Sequence, residues 1–375
     1  MRLSTLELKK FRNIENAHLE LGPRITLLVG ENGQGKTNLI EAIYFLHTLK
    51  PLRAIRLAEL IQFGENGAEV SGRYEDAQIS RHASVVLTRG ARQAYLDGKP
   101  IREVKDYFGR TSVVAFTPDE LAIVKGGPDE RRRFLDRAIF SRYPAYLDEV
   151  RAYQRALRSR NRLLREEKTD AEIDAYSGAV AKWGALLTLR RFKWVTEISA
   201  DLAAALDHVS KTPMRLALEY ASTFEATAGD IEAAGAQSQL ETRLLDKLGE
   251  RLATDRSRGF TSVGPHADRL KISLGGRSAR LYASQGQQRS IVLSLKIAQV
   301  ENLKTIHGSA PLLLLDDVSS ELDRERNERL LQYLSLLKGQ LFVSTTDASL
   351  IAPVGLSDAV SYRVESGSFF PINTA

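Results

Sequence analysis

Gly30-Glu31-Asn32-Gly33-Gln34-Gly35-Lys36-Thr37 matches the phosphate-binding loop pattern G-x-x-x-x-G-K-[ST]. An apolar, β-branched run of strand length precedes it at residues 24–29, and residues 38–46 follow it with apolar side chains at helical spacing. Strand, glycine-rich loop and helix is the context in which this pattern holds nucleotide phosphates. The flanking segments therefore favour a nucleotide site over a chance glycine turn.

Each part of the phosphate-binding loop has a predicted role. Its glycines let backbone N–H groups turn inward around phosphate oxygens, and the N-terminus of the following helix adds a partial positive charge. Lys36 is predicted to reach the β- and γ-phosphates, and Thr37 is predicted to hold Mg²⁺. The predicted nucleotide contacts of the loop are Gly30, Glu31, Asn32, Gly33, Gln34, Gly35, Lys36 and Thr37.

A second segment far along the chain supplies the carboxylates that such a site needs. Residues 311–315 read as a buried strand, and the run ends in Asp316 and Asp317. An acid at the end of such a strand can orient Mg²⁺, so Asp316 is predicted to be a metal ligand together with Thr37. Asp317 is the candidate to orient or deprotonate an attacking water. The predicted catalytic residues are Lys36, Asp316 and Asp317.

Ser284-Gln285-Gly286 precedes a long apolar-periodic helix that runs to about residue 306. A serine and a glycine turn at a helix start offer a hydroxyl, free N–H groups and the helix dipole to an anion. A well-capped helix without a ligand is the alternative interpretation. Two anion sites in one nucleotide-binding chain predict that the phosphates are held from two sides.

Arg12 and Asn13 lie at the turn between two predicted antiparallel strands, residues 3–12 and 14–21. They are candidate nucleotide contacts because the turn is close in sequence to the phosphate strand. Spacing alone favours a simple polar turn.

The rest of the chain alternates between sheet and helix patterns. Residues 69–96 read as a small antiparallel sheet closed by Asp97-Gly98, and residues 111–116 as a buried strand before a helix start at residues 117–120. Further predicted elements are an antiparallel helical hairpin (128–165 and 170–208), strands at 214–222, 270–274 and 340–344, and a helix at 237–256.

The first helix of that hairpin is rich in arginine between residues 131 and 165. Acids are interspersed with the arginines, so a solvated helical face and a nucleic-acid or subunit-facing surface both stay open. The formal net charge of +6 over 375 residues tilts the expectation toward polyanionic partners.

Length and composition indicate a globular protein of two lobes. The length predicts two lobes, and 43% hydrophobic with 27% charged residues is ordinary for a globular protein. We expect no membrane span, and residues 1–8 alternate like a strand and not like a signal peptide. The chain has no cysteine, which excludes disulfides, thiol nucleophiles and cysteine zinc sites, and we expect a cytoplasmic protein.

These motifs together resemble an ABC-type ATPase of the branch that includes the SMC proteins. The resemblance rests on the signature Ser284–Gln288, the Asp316-Asp317 pair and the loop Ser320-Glu321-Leu322-Asp323. Within that branch the chain resembles the RecF family of bacterial recombinational-repair proteins. The stretches that narrow the resemblance are Lys10–Asn13, Pro118–Leu121 with Val124–Pro128 and Arg131–Asp136, Gly264–Asp268 and the signature.

The resemblance implies an α/β fold: an ABC-type P-loop ATPase head, with a mixed sheet at its core plus a small antiparallel sheet, and an inserted helical lobe. The implied ATPase lobe is discontinuous, 1–120 and 260–375, and the helical lobe spans 121–259.

The resemblance also implies a mode of action. Two copies would dimerise on ATP, with Ser284 of one facing the γ-phosphate bound by Lys36 of the other. The dimer would clamp duplex DNA near single-strand gaps and at single/double-strand junctions. With RecO and RecR it would promote recombinase loading in repair, replication restart and the SOS response, as a weak DNA-dependent ATPase associated with the nucleoid.

Three departures from the wider family qualify this expectation. Asp317 stands where a glutamate is usual and is one methylene shorter, which argues for slow turnover. No histidine lies near Thr346, and no glutamine occurs in residues 117–121. The alternatives are a P-loop kinase of a small molecule, which has no use for the signature, and a scaffold that binds ATP without hydrolysing it.

Overall fold

The structure, a computed structural model, describes residues 2–53, 56–75, 79–102, 107, 112–209, 215–317, 322–349 and 359–372. The strands are β1 Arg2–Phe11, β2 Ile14–Glu20, β3 Ile25–Val29, β4 Gly67–Glu75, β5 Ser80–Thr88, β6 Arg92–Leu96, β7 Lys99–Pro100, β8 Val113–Phe116, β9 Leu216–Ala221, β10 Arg269–Leu274, β11 Arg277–Ser278, β12 Leu312–Asp316, β13 Leu341–Thr345, β14 Ala359–Glu365 and β15 Ser368–Ile372. The helices are α1 Lys36–Thr48, α2 Ala122–Lys125, α3 Pro128–Arg142, α4 Tyr146–Arg165, α5 Asp170–Val209, α6 Ala236–Glu250, α7 Leu252–Arg258, α8 Ala279–Tyr282, α9 Gln285–His307 and α10 Arg324–Leu336.

A six-stranded mixed sheet carries the phosphate-binding loop. Its order is β15-β14-β3-β13-β12-β8, and all neighbours are parallel except the β14–β15 pair. The strands β12 and β13 are buried along their whole length, as their apolar runs predict. The predicted strands at 24–29, 311–316 and 340–344 are therefore confirmed. Because the strands run parallel, the loop after β3 and the acids after β12 lie at the same edge of the sheet.

An antiparallel sheet of order β2-β1-β4-β5-β6-β7 forms the second layer of this part of the chain. The antiparallel sheet expected from residues 69–96 is therefore present, and it also contains β1 and β2. The reason is that β1 pairs on both edges, with β2 on one side and with β4 on the other. Helix α1 is buried along nearly its whole length, and its side chains join those of β1 and β4 in one apolar core.

The first arm of the predicted hairpin, 128–165, is two helices, α3 and α4, because Pro144 between them interrupts the helix. The second arm is the long helix α5, and its contacts with α4 run antiparallel, Arg190 with Glu149 and Ser177 with Arg160. A three-stranded antiparallel sheet of order β11-β10-β9 accompanies the hairpin. The helix predicted at 237–256 is two helices, α6 and α7, which meet at Arg251. Gly249 lies one residue before the last residue of α6, where its low helix propensity favours a break.

Gly264–Asp268, one of the stretches that carried the resemblance, forms hydrogen bonds inside the helical part. The His266 Nε2–H donates to the Thr261 carbonyl at 2.8 Å, and Nδ1 accepts from the Tyr153 hydroxyl at 2.6 Å. Asp268 is fully buried and accepts from the Tyr220 hydroxyl at 2.6 Å. Burial lowers the pKa of His266. This motif therefore has a structural role that follows directly from its contacts.

The chain divides into two compact units. The first comprises Met1–Glu120, Asp207–Lys211 and Gln299–Ala375, and the second comprises Leu121–Leu206 and Thr212–Ala298. The second unit thus begins after residue 120 and includes residues 260–298. The functional division into two lobes stays a prediction. Among the described residues, no helix is long and apolar enough to cross a membrane.

Candidate nucleotide site

The backbone of the predicted phosphate loop can be formed only with glycine at two of its positions. A Cβ atom on Gly30 would lie 2.4 Å from the Val364 carbonyl oxygen of β14, the strand beside β3. Gly35 has φ +117, and a Cβ there would lie 2.9 Å from the Asn13 side chain. The glycine spacing of the motif thus follows from close approach of the neighbouring chain.

Gly30→Ala is expected to lower the free energy of unfolding by about 2–3 kcal/mol, because the added methyl meets backbone that cannot rotate away. Gly90→Ala is the matched control, since nothing lies within 4 Å of its Cβ position. Urea unfolding of both variants measures the difference. Equal stability of the two variants would contradict the packing argument.

Lys36 is the first residue of α1, and its side chain is turned back along the loop. Its Nζ donates to the carbonyl oxygens of Gly30 and Glu31, the latter at 2.9 Å. Burial lowers the pKa of Lys36, and the charges of Asp317, Asp316 and Glu31 oppose that shift. The ammonium group is therefore held among the acids of the site, where it can also meet an anionic ligand.

Thr37 and Asp316, distant in sequence, lie in direct contact. The Thr37 hydroxyl donates to Asp316 Oδ1 at 2.8 Å, and the Ser344 hydroxyl donates to the same oxygen at 2.8 Å. Burial raises the pKa of Asp316, while the hydrogen bonds from Thr37 and Ser344 and the charge of Arg53 lower it. Sequence reasoning missed Ser344, which is paired in register with Asp316 at the end of the adjacent strand.

Asp317 follows Asp316 in the left-handed backbone region, with φ +49. Its N–H donates to the Ser344 carbonyl at 3.2 Å and to the Ser344 hydroxyl at 3.0 Å. These bonds turn the chain out of the sheet directly after Asp316. The predicted loop at residues 320–323 falls partly outside the described residues, which resume at Leu322.

The turn that holds Arg12 and Asn13 contacts the site. Arg12 pairs with Glu41 of α1 through two hydrogen bonds, at 2.9 and 2.8 Å, and Glu41 is fully buried. Asn13 donates to the Gln34 carbonyl at 3.2 Å and accepts from Asn38 at 2.7 Å. The Arg12 guanidinium thus neutralises a buried carboxylate, while Asn13 touches the loop itself; nucleotide contact by either stays a prediction.

A second turn also fixes the loop, and nothing in the sequence pointed to it. The N–H groups of Ser366 and Gly367, between β14 and β15, donate to the side chain and the carbonyl of Gln34, each at 2.7 Å. Gln34 is therefore engaged by the protein on both its backbone and its side chain. This anchoring holds the loop in place without a ligand.

Ser284 lies on the second unit at the start of α9. The Gln287 N–H donates to the Ser284 hydroxyl at 3.3 Å, and the Ser284 N–H donates to the Gln287 side chain at 2.8 Å. These reciprocal bonds form a capping box, which is what the alternative interpretation expects. Ser284 and Gln285 are exposed and Gly286 is half-buried, so the segment is accessible to a second molecule.

The arginine-rich helices carry many internal ion pairs. Among residues 131–165 the pairs with acids are Arg132–Asp129, Arg133–Glu130, Arg142–Glu197, Arg151–Asp148, Arg160–Asp255 and Arg162–Glu166. This pairing favours a solvated or structural role for these arginines over a continuous nucleic-acid face.

The donor set fits a nucleotide triphosphate with Mg²⁺. The Thr37 hydroxyl and an Asp316 carboxylate oxygen are hard oxygen ligands already within 2.8 Å of each other. Among the described residues no side chain caps the start of α1, and its first turn holds no acid, so the free N–H groups at this helix start are available to a phosphate. No group of three or more histidine, cysteine or acidic residues that could hold a metal occurs within the described ranges.

Comparison with known proteins agrees with this geometry. A family model described as the RecF/RecN/SMC N-terminal domain matches residues 2–364. The DNA replication and repair protein RecF of Myxococcus xanthus (strain DK1622) is 49% identical over 98% of this chain and 96% of the relative. Two solved structures of the recombination mediator protein RecF in the RecFOR pathway, one described as RecF-ATP and the other as RecF-ATPrS, are each 27% identical to this chain. They cover 99% of this chain and 99% and 98% of their own, with TM-scores of 0.88 and 0.89.

Proposed function

The chain belongs to the RecF/RecN/SMC N-terminal domain family and, within it, to the RecF family of DNA replication and repair proteins, and on that premise we propose that it is an ATP-switched clamp for duplex DNA. Its proposed ligands are ATP and Mg²⁺, and its proposed partners are a second copy of the chain, duplex DNA near single-strand gaps, and the RecO and RecR proteins. The proposed setting is recombinase loading in the cytoplasm during repair, replication restart and SOS induction.

The observation that carries this proposal is the contact of Thr37 with Asp316, which joins the two halves of a triphosphate site. A phosphate loop with an ordered Lys36 and two acids at the adjacent strand end supports hydrolysis as well as binding. The relative solved with ATP supports the identity of the nucleotide.

Each residue of the site has a proposed task. Lys36 would bind the β- and γ-phosphates, and Thr37 and Asp316 would hold Mg²⁺, which when bound neutralises charge on the phosphate oxygens. Asp317 would orient the attacking water, and Ser344 would keep the Asp316 carboxylate in position through its 2.8 Å hydrogen bond. The shorter reach of Asp317, compared with glutamate, favours slow hydrolysis, which suits a switch.

The test is dimerisation and duplex binding as a function of nucleotide. Gel filtration with light scattering is expected to give a monomer without nucleotide and with ADP, and a dimer with ATP. Filter binding is expected to give tighter association with gapped duplex in the ATP state. A single-turnover assay separates slow hydrolysis from none. A monomer in every state together with nucleotide-independent DNA binding would overturn the proposal.

Ser284→Arg is expected to leave ATP binding by the monomer unchanged but to abolish ATP-dependent dimerisation and hydrolysis, because bulk and charge are added to the exposed segment before α9. Ser284→Thr is the matched control, since a threonine hydroxyl can keep the cap. Loss of ATP binding by the monomeric Ser284→Arg variant would contradict a site shared between two copies.

A further inference from the structure

Three arginines of the second unit lie on elements that pack together, and one of them is four residues before Ser284. Arg131 lies on α3, Arg269 begins β10, and Arg280 lies on α8. α3 and α8 both pack against β10. The three arginines therefore lie on neighbouring elements. In agreement with this placement, burial lowers the pKa of Arg131, and the positive charges of Arg280, Arg132 and Arg269 lower it further.

No acid neutralises these three charges within the described part of the chain, although Arg132 and Arg133 beside them are paired with Asp129 and Glu130. Arg131 donates through one terminal nitrogen to the Gly126 carbonyl at 3.0 Å, and its Nε is buried without an acceptor among the described residues. Like charges without a counter-ion repel one another, and a bound anion would reduce this repulsion.

The surrounding sequence deepens the positive potential. Residues 269–300 contain six lysines and arginines and no acid. The cations are Arg269, Lys271, Arg277, Arg280, Arg289 and Lys296. Residues 275–278 and 280–282 are all exposed, and Arg277 lies over the exposed ring of Tyr282 with 6.0 Å to the ring centre. The exposed positive charge therefore lies on Arg269, Arg277 and Arg280, since Lys271 is paired with Glu219 at 2.6 Å and Lys296 is buried.

We propose that Arg131, Arg269 and Arg280 form a surface that binds backbone phosphates of duplex DNA. Several guanidinium groups without an acidic partner, on neighbouring elements, fit a polyanion with many phosphates better than they fit one isolated phosphate. Arg269 and Arg280 are exposed and can reach phosphates directly, while half-buried Arg131 supports them from the protein side. The inference rests on the proposed DNA-clamp function and identifies which surface of the second unit carries the contact.

The test compares two double variants that each remove two positive charges. Arg269→Gln/Arg280→Gln removes the exposed members of the cluster, and Arg155→Gln/Arg158→Gln removes two exposed arginines of α4 that make no ion pair within the described residues. Duplex binding is measured with ATP over a series of salt concentrations. The cluster variant is expected to bind about tenfold or more weakly, and the slope of log affinity against log salt should fall by about two. The control is expected to keep the wild-type slope.

Three outcomes would overturn the inference, and they separate it from the proposed function. Equal slopes for the two double variants, with wild-type protein that binds duplex normally, would reject the cluster and leave the DNA clamp standing. Loss of ATP-dependent dimerisation in the cluster variant before DNA is added would assign the arginines to the contact between copies. Wild-type protein that binds no duplex in any nucleotide state would reject both.

Discussion

Replacing Lys36 by alanine is expected to raise the dissociation constant for ATP with Mg²⁺ about 100-fold. The Lys36 ammonium group is positioned by the Gly30 and Glu31 carbonyls and is the only cation of the phosphate-loop motif. Loss of two charge-assisted hydrogen bonds to phosphate costs about 3 kcal/mol, which corresponds to that factor. Isothermal titration of the monomer with ATP measures it directly.

The stability of the same variant separates a binding role from a structural one. Burial already lowers the pKa of Lys36, so removal of the ammonium group relieves a desolvation cost, and the variant is expected to unfold at the wild-type temperature or above it. Lys9→Ala, which removes an exposed lysine of β1, is the matched control for ATP affinity. ATP affinity within threefold of wild type for Lys36→Ala would refute the proposed phosphate contact.

The core sheet could be predicted because its strands carry strong local patterns. The apolar runs before Gly30 and before Asp316 are long enough, and end abruptly enough, to be assigned as buried parallel strands. No local sequence pattern indicates that β1 pairs with β4, because the paired residues, such as Leu3 and Tyr74, lie far apart in the chain. Alternation of apolar and polar residues indicates a strand but does not identify the strand beside it. The pair 3–12 and 14–21 and the sheet at 69–96 were therefore predicted separately, although they form one sheet.

The candidate site could likewise be predicted only where a local motif indicates a residue. Motif spacing predicted Lys36, Thr37 and Asp316 as site residues, because their chemistry is tied to residue type. Ser344 gave no signal by itself, although the rule that parallel strands end at one edge could have placed it beside Asp316. The Ser366-Gly367 turn depends on β14 lying next to β3, which only the folded chain reveals.

Arg160 and Asp255 form a buried ion pair in the second unit, and its removal has the largest expected effect on stability. Their side chains are 1% and 0% exposed and meet at 3.0 Å. Arg160 also donates to Thr261 at 2.7 Å and to Ser177 at 3.1 Å. The pair joins α4 to α7 through a guanidinium group that donates four hydrogen bonds. The spacing of arginines along α4 gave no indication of this role.

Arg160→Met is expected to lower the free energy of unfolding by about 3–5 kcal/mol, because it leaves Asp255 buried without its counter-charge. Arg151→Met is the matched control on the same helix; its exposed pair with Asp148 contributes less than about 1 kcal/mol. Both tryptophans of the chain, Trp183 and Trp194, lie on α5, so tryptophan fluorescence during urea unfolding reports on this unit.

The double variant Arg160→Met/Asp255→Leu decides whether the cost comes from an unpaired buried charge or from lost packing. With both charges replaced by apolar groups, most of the loss is expected to be recovered, since a buried pair has little net stabilising effect relative to apolar residues of similar size. The coupling between the two sites should then be large and favourable. If the double variant were as unstable as the sum of the single variants, the two charges would be independent. The pair would then not be what holds α4 to α7.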